Sequence, residues 1–306
     1  MLNPDYHVEK SNRLILSQLS VYSLYALKAL DVYLSRINAR NPETINVVFS
    51  KQEFCELLGI QKNARSNALK EALRQLRRAE VQIYAENENY KGIRYACLFK
   101  TADIIFEKRT GKMFVTLHGN DDLRDLFFDL KNGLGYTEYA LRNTMSMRSK
   151  SSIMLYNVLK MRLSASKCRE VAVEFTVDAL REQIGANSKT NSEFKYFRRL
   201  IDSCVGEIND LTDIHVEYDV RKRWKSASGI VFTVSGPEET GLPFDDGLPD
   251  PDELPDPAAL PDPDELPDPD GPSAVPSFDD IVDGLEYDVD LEYDVDCFIV
   301  PDGPDN

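Results

Sequence analysis

At 306 residues the chain is long enough for about two domains. Its 42% apolar content suits packed cores, and no apolar run of about 18 residues offers a membrane span. The net charge of −16 is unevenly spread: residues 237–306 hold 24 of the 52 acidic side chains and no Lys or Arg, leaving 36 basic against 28 acidic residues in 1–236.

A body of +8 joined to a tail of −24 is a charge asymmetry that leaves a polyanion open as the partner of the body. Met1–Asp5 lacks a basic start followed by an apolar stretch, so a cytoplasmic location is expected. Cys55, Cys97, Cys168, Cys204 and Cys297 are scattered without a paired spacing, which argues against a disulfide scaffold or a zinc site.

In chain order, an apolar helix is predicted over Leu24–Ile37. Next, Phe49 and Ser50 open a short helix that stops at Gly59, with Ser50 as N-cap, Glu53 completing a capping box and Gly59 in a left-handed cap. A longer helix follows over Ser66–Ala79. Alternating strands at Val81–Ala85 and Ile93–Phe99 complete a β-hairpin, and a third strand at Met113–Leu117 precedes a helix around Asp121–Leu130. Tyr136–Arg148 is assigned to a linker helix and connection.

The pattern then repeats. A helix at Ser152–Leu163 precedes Phe175 and Thr176, which open a second short helix ending at Gly185; a longer amphipathic helix follows, then strands at Ile214–Tyr218 and Gly229–Val234. Phe49/Phe175, Ser50/Thr176, Phe54/Leu180, Glu56/Glu182, Leu58/Ile184 and Gly59/Gly185 correspond position for position. Helix, helix-turn-helix and hairpin in that order make a winged helix. The expected architecture is therefore α+β: tandem winged helices at 1–133 and 134–236, followed by a disordered acidic, Pro-rich tail at 237–306. That tail holds 14 of the 16 prolines, and a hexad beginning Leu-Pro-Asp-Pro starts at Leu248, Leu254, Leu260 and Leu266. Its charge, opposite to that of the body, would let it lie over the body as a mimic of DNA; a solubilising or host-protein-docking role is the alternative.

On the first long helix, Asn67, Lys70, Arg74, Arg77 and Arg78 fall opposite the apolar stripe. Like charges one turn apart destabilise a helix unless an anion faces them, and duplex phosphates supply one. In the second half, Lys195, Arg198 and Arg199 face away from the stripe of Phe197, Ile201, Cys204 and Ile208, while Lys189 and Asn191 lie just before the helix. The second hairpin carries Arg221, Lys222, Arg223, Trp224 and Lys225, of which the cations suit phosphates and Trp224 suits packing at the hairpin base. A solvated surface helix is the bland alternative for each basic face. For catalysis, cofactor or metal binding the residues give no support: His7, His118 and His215 are isolated, no phosphate-binding loop is present, and Tyr84, Tyr90 and Tyr95 suit strand packing better than nucleophilic attack. No enzyme activity is expected.

The sequence resembles the initiator Rep proteins of iteron-containing, theta-replicating plasmids over about residues 8 to 235. The resemblance rests on Phe49–Ile60, Ala68–Leu76, Tyr136–Leu141, Ser149–Lys160, Phe175–Gly185, Phe197–Arg199, Glu207–Asn209 and Gly229–Phe232. It implies a protein that binds direct repeats at a plasmid origin and helps to open the duplex, as a monomer on the repeats and as a homodimer when repressing its own gene, with host replication proteins as further partners. By position it assigns base reading to Lys195, Arg198 and Arg199, and phosphate contacts to Lys70, Arg74, Lys150 and Arg223. The acidic hexads depart from the family pattern. A winged-helix transcriptional repressor without an origin, and an interaction adaptor acting through the tail, are the competing expectations.

Overall fold

A computed structural model describes residues 6–17, 19–60, 65–86, 91–128, 135–223 and 226–236. The expected disordered tail, together with Trp224, Lys225 and Tyr90, lies outside the described residues.

Strand β1 (His7–Ser11) leads into α1 (Asn12–Leu16), and α2 (Leu24–Leu34) starts at Ser23, whose hydroxyl accepts from Ala26 N. Next come β2 (Asn46–Ser50), α3 (Lys51–Leu57) and α4 (Arg65–Arg78). Ser50 Oγ caps α3 by accepting from Glu53 N at 3.2 Å. The capping box does not close, however, because the Glu53 carboxylate turns to Arg36 at 3.0 Å. Gly59, at φ +66°, ends the helix with Gly59 N donating to Glu56 O and Ile60 N to Cys55 O, the paired bonds of a left-handed cap.

The second half repeats this with β8 (Glu170–Thr176), α8 (Val177–Gln183) and α9 (Phe194–Leu211). Thr176 Oγ1 accepts from Ala179 N, and Gly185, at φ +65°, carries the same two cap bonds. A side chain there would also meet Ser20 Cβ at 2.9 Å, so close approach and backbone angle both require glycine.

The sheets correct the reading of the first hairpin. Strands β9 (His215–Arg223) and β10 (Ser226–Ser235) join β8 in the order β8-β10-β9. In the first half the same order is β2-β6-β5, built from β5 (Phe99–Phe106) and β6 (Met113–Gly119). Phe49 pairs with Val115 as Phe175 pairs with Ile230. The wing equivalent of β9–β10 is therefore β5–β6. The hairpin taken from the sequence as the first wing, β3 (Glu80–Glu86) with β4 (Lys91–Cys97), is an additional two-stranded sheet between α4 and the true wing. The expected strand Ile93–Phe99 breaks in two near Leu98, where Asn120 Nδ2 donates to Cys97 O and Asn120 N to Leu98 O. Tyr95 is 60% exposed, so it does not pack as expected.

The connection between the halves is also corrected. Tyr136–Ala140 is not helical but forms β7, which pairs antiparallel with β1, Ser11 opposite Tyr136. Its Thr137 and Tyr139 are buried and Glu138 exposed, the alternation of a half-buried strand. Only α6 (Leu141–Met145) is helical before α7 (Lys150–Ser166). The β1–β7 pairing spans the boundary expected between 133 and 134. In the first half, the helix expected around Asp121–Leu130 is a 3-10 turn followed by α5 (Arg124–Phe127).

Lys10 on β1 and Asp31 on α2 form an ion pair at 2.9 Å with both side chains fully buried, and Tyr139 on β7 donates to the same Asp31 oxygen at 3.1 Å. Asp31 Oδ2 finds no partner among the described residues. Desolvating two charges is costly, and losing one partner strands the other, at about 3–5 kcal/mol. Lys10→Met or Asp31→Leu alone should therefore destabilise the protein by about that amount in urea unfolding. The double substitution should recover most of the loss. Additive losses in the double variant would show that the charges do not act as a pair.

Candidate nucleic-acid interface

In a winged helix the long second helix and the hairpin tip form one surface, and the turn before the helix sets its angle. Here α8, the 3-10 turn Lys189–Ser192, the start of α9 and the start of β10 surround a groove of about 550 Å³ lined by Thr176, Asp178, Arg181, Ser192, Phe194 and Ser228. Arg181 anchors its wall. Its guanidinium lies 4.9 Å from the centre of the Phe197 ring, bonds Asp178, and donates to Ser192 O.

On α9, Phe197, Ile201, Cys204 and Ile208 are buried, as the apolar stripe predicts. Burial pushes the Cys204 thiol up to about 11, so it is a packing group at neutral pH. Lys195, Arg198 and Arg199 are exposed on the opposite face. Arg198 is not free, because Tyr218 of β9 hydrogen-bonds both its guanidinium and Asp202, tying the helix to the wing. The Tyr218 hydroxyl is raised by burial first and by its bond to Asp202 second, with Arg198 opposing. Arg199 lies over Tyr196, 5.8 Å from the ring centre. Lys195 makes no ion pair among the described residues.

The second wing carries Arg221, Lys222 and Arg223 at the outer end of β9, all exposed. Arg221 pairs with Glu174 on β8 at 2.9 Å, whereas Lys222 and Arg223 have no described ion-pair partner. Asn191 is half-buried, its backbone N–H donating to Ser188 O, and Lys189 begins the 3-10 turn. Lys225 lies outside the described residues.

In the first half, Asn67, Arg74, Arg77 and Arg78 are exposed on α4 and Lys70 is half-buried. Arg74 pairs with Glu71 at 3.3 Å, which trims the positive face. Arg77 lies near Asp103 on β5, whose carboxyl is raised by burial and drawn back down by Thr101, Thr116 and the arginine. Lys150 is held elsewhere: its ammonium donates to Ser20 O at 3.0 Å, joining α7 to the first half. Gln183 Nε2 makes a second such tie to Ile15 O.

Recognising β5–β6 as the first wing adds residues that the sequence reading missed. Its tip, Glu107 to Lys112, carries Lys108, Arg109 and Lys112, all exposed. Arg109 pairs loosely with Glu107 at 3.8 Å, and the two lysines have no described ion-pair partner. The signal is three cations in five residues between two alternating strands, but 80–97 alternates in the same way and comes first in the chain. Both halves thus place a basic hairpin tip after a helix with a basic face. Among the described residues no group of three His, Cys, Asp or Glu could hold a metal ion, and no helix is long and apolar enough to cross a membrane.

Comparisons with known proteins agree with this architecture. Residues 7–160 match the family model described as initiator replication protein, WH1, and residues 176–234 match initiator Rep protein, WH2. Among solved structures, the chain is similar to the Pi initiator protein in complex with iteron DNA, with a TM-score of 0.61 and 18% identity, covering 78% of this chain and all of that one. The WH1 domain of a replication protein isolated from a multiple sclerosis patient aligns at a TM-score of 0.24 and 14% identity over 39% of this chain and 84% of that one. No curated protein shows significant sequence similarity.

If β5–β6 is the first wing, Lys108→Ala with Lys112→Ala should weaken binding to any duplex and lower the salt slope by about 0.9 for each lost phosphate contact. Arg94→Ala in the β3–β4 hairpin, where Arg94 donates to Asp122 O, should leave both unchanged. The opposite result would return the wing to β3–β4.

Proposed function

Because the chain belongs to the initiator replication protein family through both of its winged helices, we propose that it starts plasmid replication by binding direct repeats at an origin and promoting duplex opening there. The observation that carries this reading is the repeated pairing of a basic helix face with a basic wing tip, on the fold that the Pi initiator uses with iteron DNA. Lys150 and Gln183 tie the halves together, which suits a repeat of about 20 bp, two helical turns presenting two major-groove faces on one side. The working site is the cytoplasm, the ligand is double-stranded DNA, and the protein supplies binding and distortion rather than catalysis. Monomers occupy the repeats, a homodimer represses the gene, and host replication proteins follow.

Within the second domain, Lys195 and Arg199 read base edges, because they project from α9 without being tied to the wing. Arg198 acts through Tyr218 to set the angle between helix and wing. Lys222 and Arg223 grip phosphates.

A gel-shift titration against the direct repeats flanking the gene tests this. Arg199→Ala should cost about 1–3 kcal/mol on the repeats and little on random duplex, whereas Lys222→Ala should weaken both alike. A lone inverted repeat at the promoter, with no direct repeats bound elsewhere on the replicon, would leave a repressor without an origin. No affinity for any duplex would point to the adaptor reading.

A further inference from the structure

The charges on β9 are sorted by position. Along β9, Glu217 and Asp219 stand exposed in the inner half of the strand, and Arg221, Lys222 and Arg223 at its outer end. Glu170 faces Ser235 across the sheet at the inner end. The chain leaves the described body at that inner end, where Gly236 N donates to Arg169 O. It then continues into residues 237–306, with 24 acidic side chains and no Lys or Arg. At the exit Lys167 and Arg169 alternate with Glu170 and Glu217, so the charge there is mixed, whereas the face formed by Lys195, Arg199, Lys222 and Arg223 gathers four exposed cations.

We propose that the acidic hexads of residues 248–271 occupy this face in the absence of DNA and act as an intramolecular competitor of duplex; the proposal rests on the DNA-binding reading above. Reach permits it. β10 has ten residues, so the wing tip lies roughly 30 Å from the exit. The hexads begin about 13 residues beyond Ser235, and a polyproline-like chain spans about 3.1 Å per residue, or about 40 Å in all.

Magnitudes decide what such a competitor can do. The hexads carry nine carboxylates, at Asp250, Asp252, Glu253, Asp256, Asp262, Asp264, Glu265, Asp268 and Asp270. Spread over an extended chain, that is about one charge per 8 Å, against one per 1.7 Å of duplex. The hexads therefore lose to DNA wherever base contacts add to the phosphates. Tethering raises their local concentration to the order of millimolar, so even a millimolar intrinsic affinity keeps the face occupied about half of the time and competes with non-specific duplex. The outcome is suppression of random duplex with retention of the cognate repeat.

The test uses the full chain with these nine carboxylates changed to their amides (Asp250→Asn, Glu253→Gln and so on). At low salt its affinity for a random duplex should rise about tenfold, and the gain should fade as salt is raised. Carbodiimide cross-linking of the unaltered chain, read by mass spectrometry, should join the hexad carboxylates to Lys195 or Lys222, and added duplex should suppress those links. Unchanged affinity, or no such links, overturns the proposal. Links in a chain that binds no duplex in either form also overturn it as competition with DNA, and place the failure in the DNA-binding reading.

Discussion

The Lys10–Asp31 pair fixes where everything else can go. Two opposite charges without solvent contact are tolerable only while each has the other, so β1 cannot leave α2 without exposing an unmatched ion. Tyr139 joins the same carboxylate and brings β7 with it. Its ring meets Tyr156 of α7 edge-on at 5.5 Å, and the Tyr156 hydroxyl donates to Asp213, which also takes Lys160 and Asn143. Burial, and then the Asp213 charge, push the Tyr156 hydroxyl well up, so it stays a neutral donor. One chain of polar and aromatic contacts therefore runs from the first strand to the turn between α9 and β9. The end of α9 is thereby held by groups on β1, α2, β7 and α7.

This explains why the two halves look alike yet are charged differently. On α9 the cations are sorted by tethering: Arg198 is spent on geometry, and Lys195 and Arg199 remain outward. On α4, Glu71 and Asp103 temper the arginines, so the first half offers a softer positive field. Both wing tips are basic, but the first is displaced along the chain by the extra hairpin.

Local chemistry made much of this legible. The N-caps Ser50 and Thr176 and the glycines at 59 and 185 named the helix-turn-helix units, because those features are set within a few residues. The motif residues also acquire physical reasons: Asn209 clamps Val216 through both its N–H and its C=O, and Lys150 reaches Ser20. What the sequence could not disclose were long-range pairings. Alternation in 80–97 and in 99–119 is equally hairpin-like, and only the partnership of β2 with β6 shows which hairpin is the wing. Tyr136–Ala140 reads as a linker until β1 is beside it. The bonds of Arg198 to Tyr218 and of Lys150 to Ser20 likewise join segments far apart in the chain.

The pairing of β1 with β7 also bears on synthesis. Thr137 Oγ1 donates to Asn12 Oδ1, a residue 125 positions earlier in the chain. At about 5–20 residues per second, a ribosome needs roughly 6–25 seconds between making the two strands. Through that interval Lys10 has neither its strand partner nor its enclosure, so the amino-terminal segment must wait, open, for the linker to emerge. The first winged helix is thus closed by its first and last strands together, so its amino-terminal edge is the last part of it to be paired.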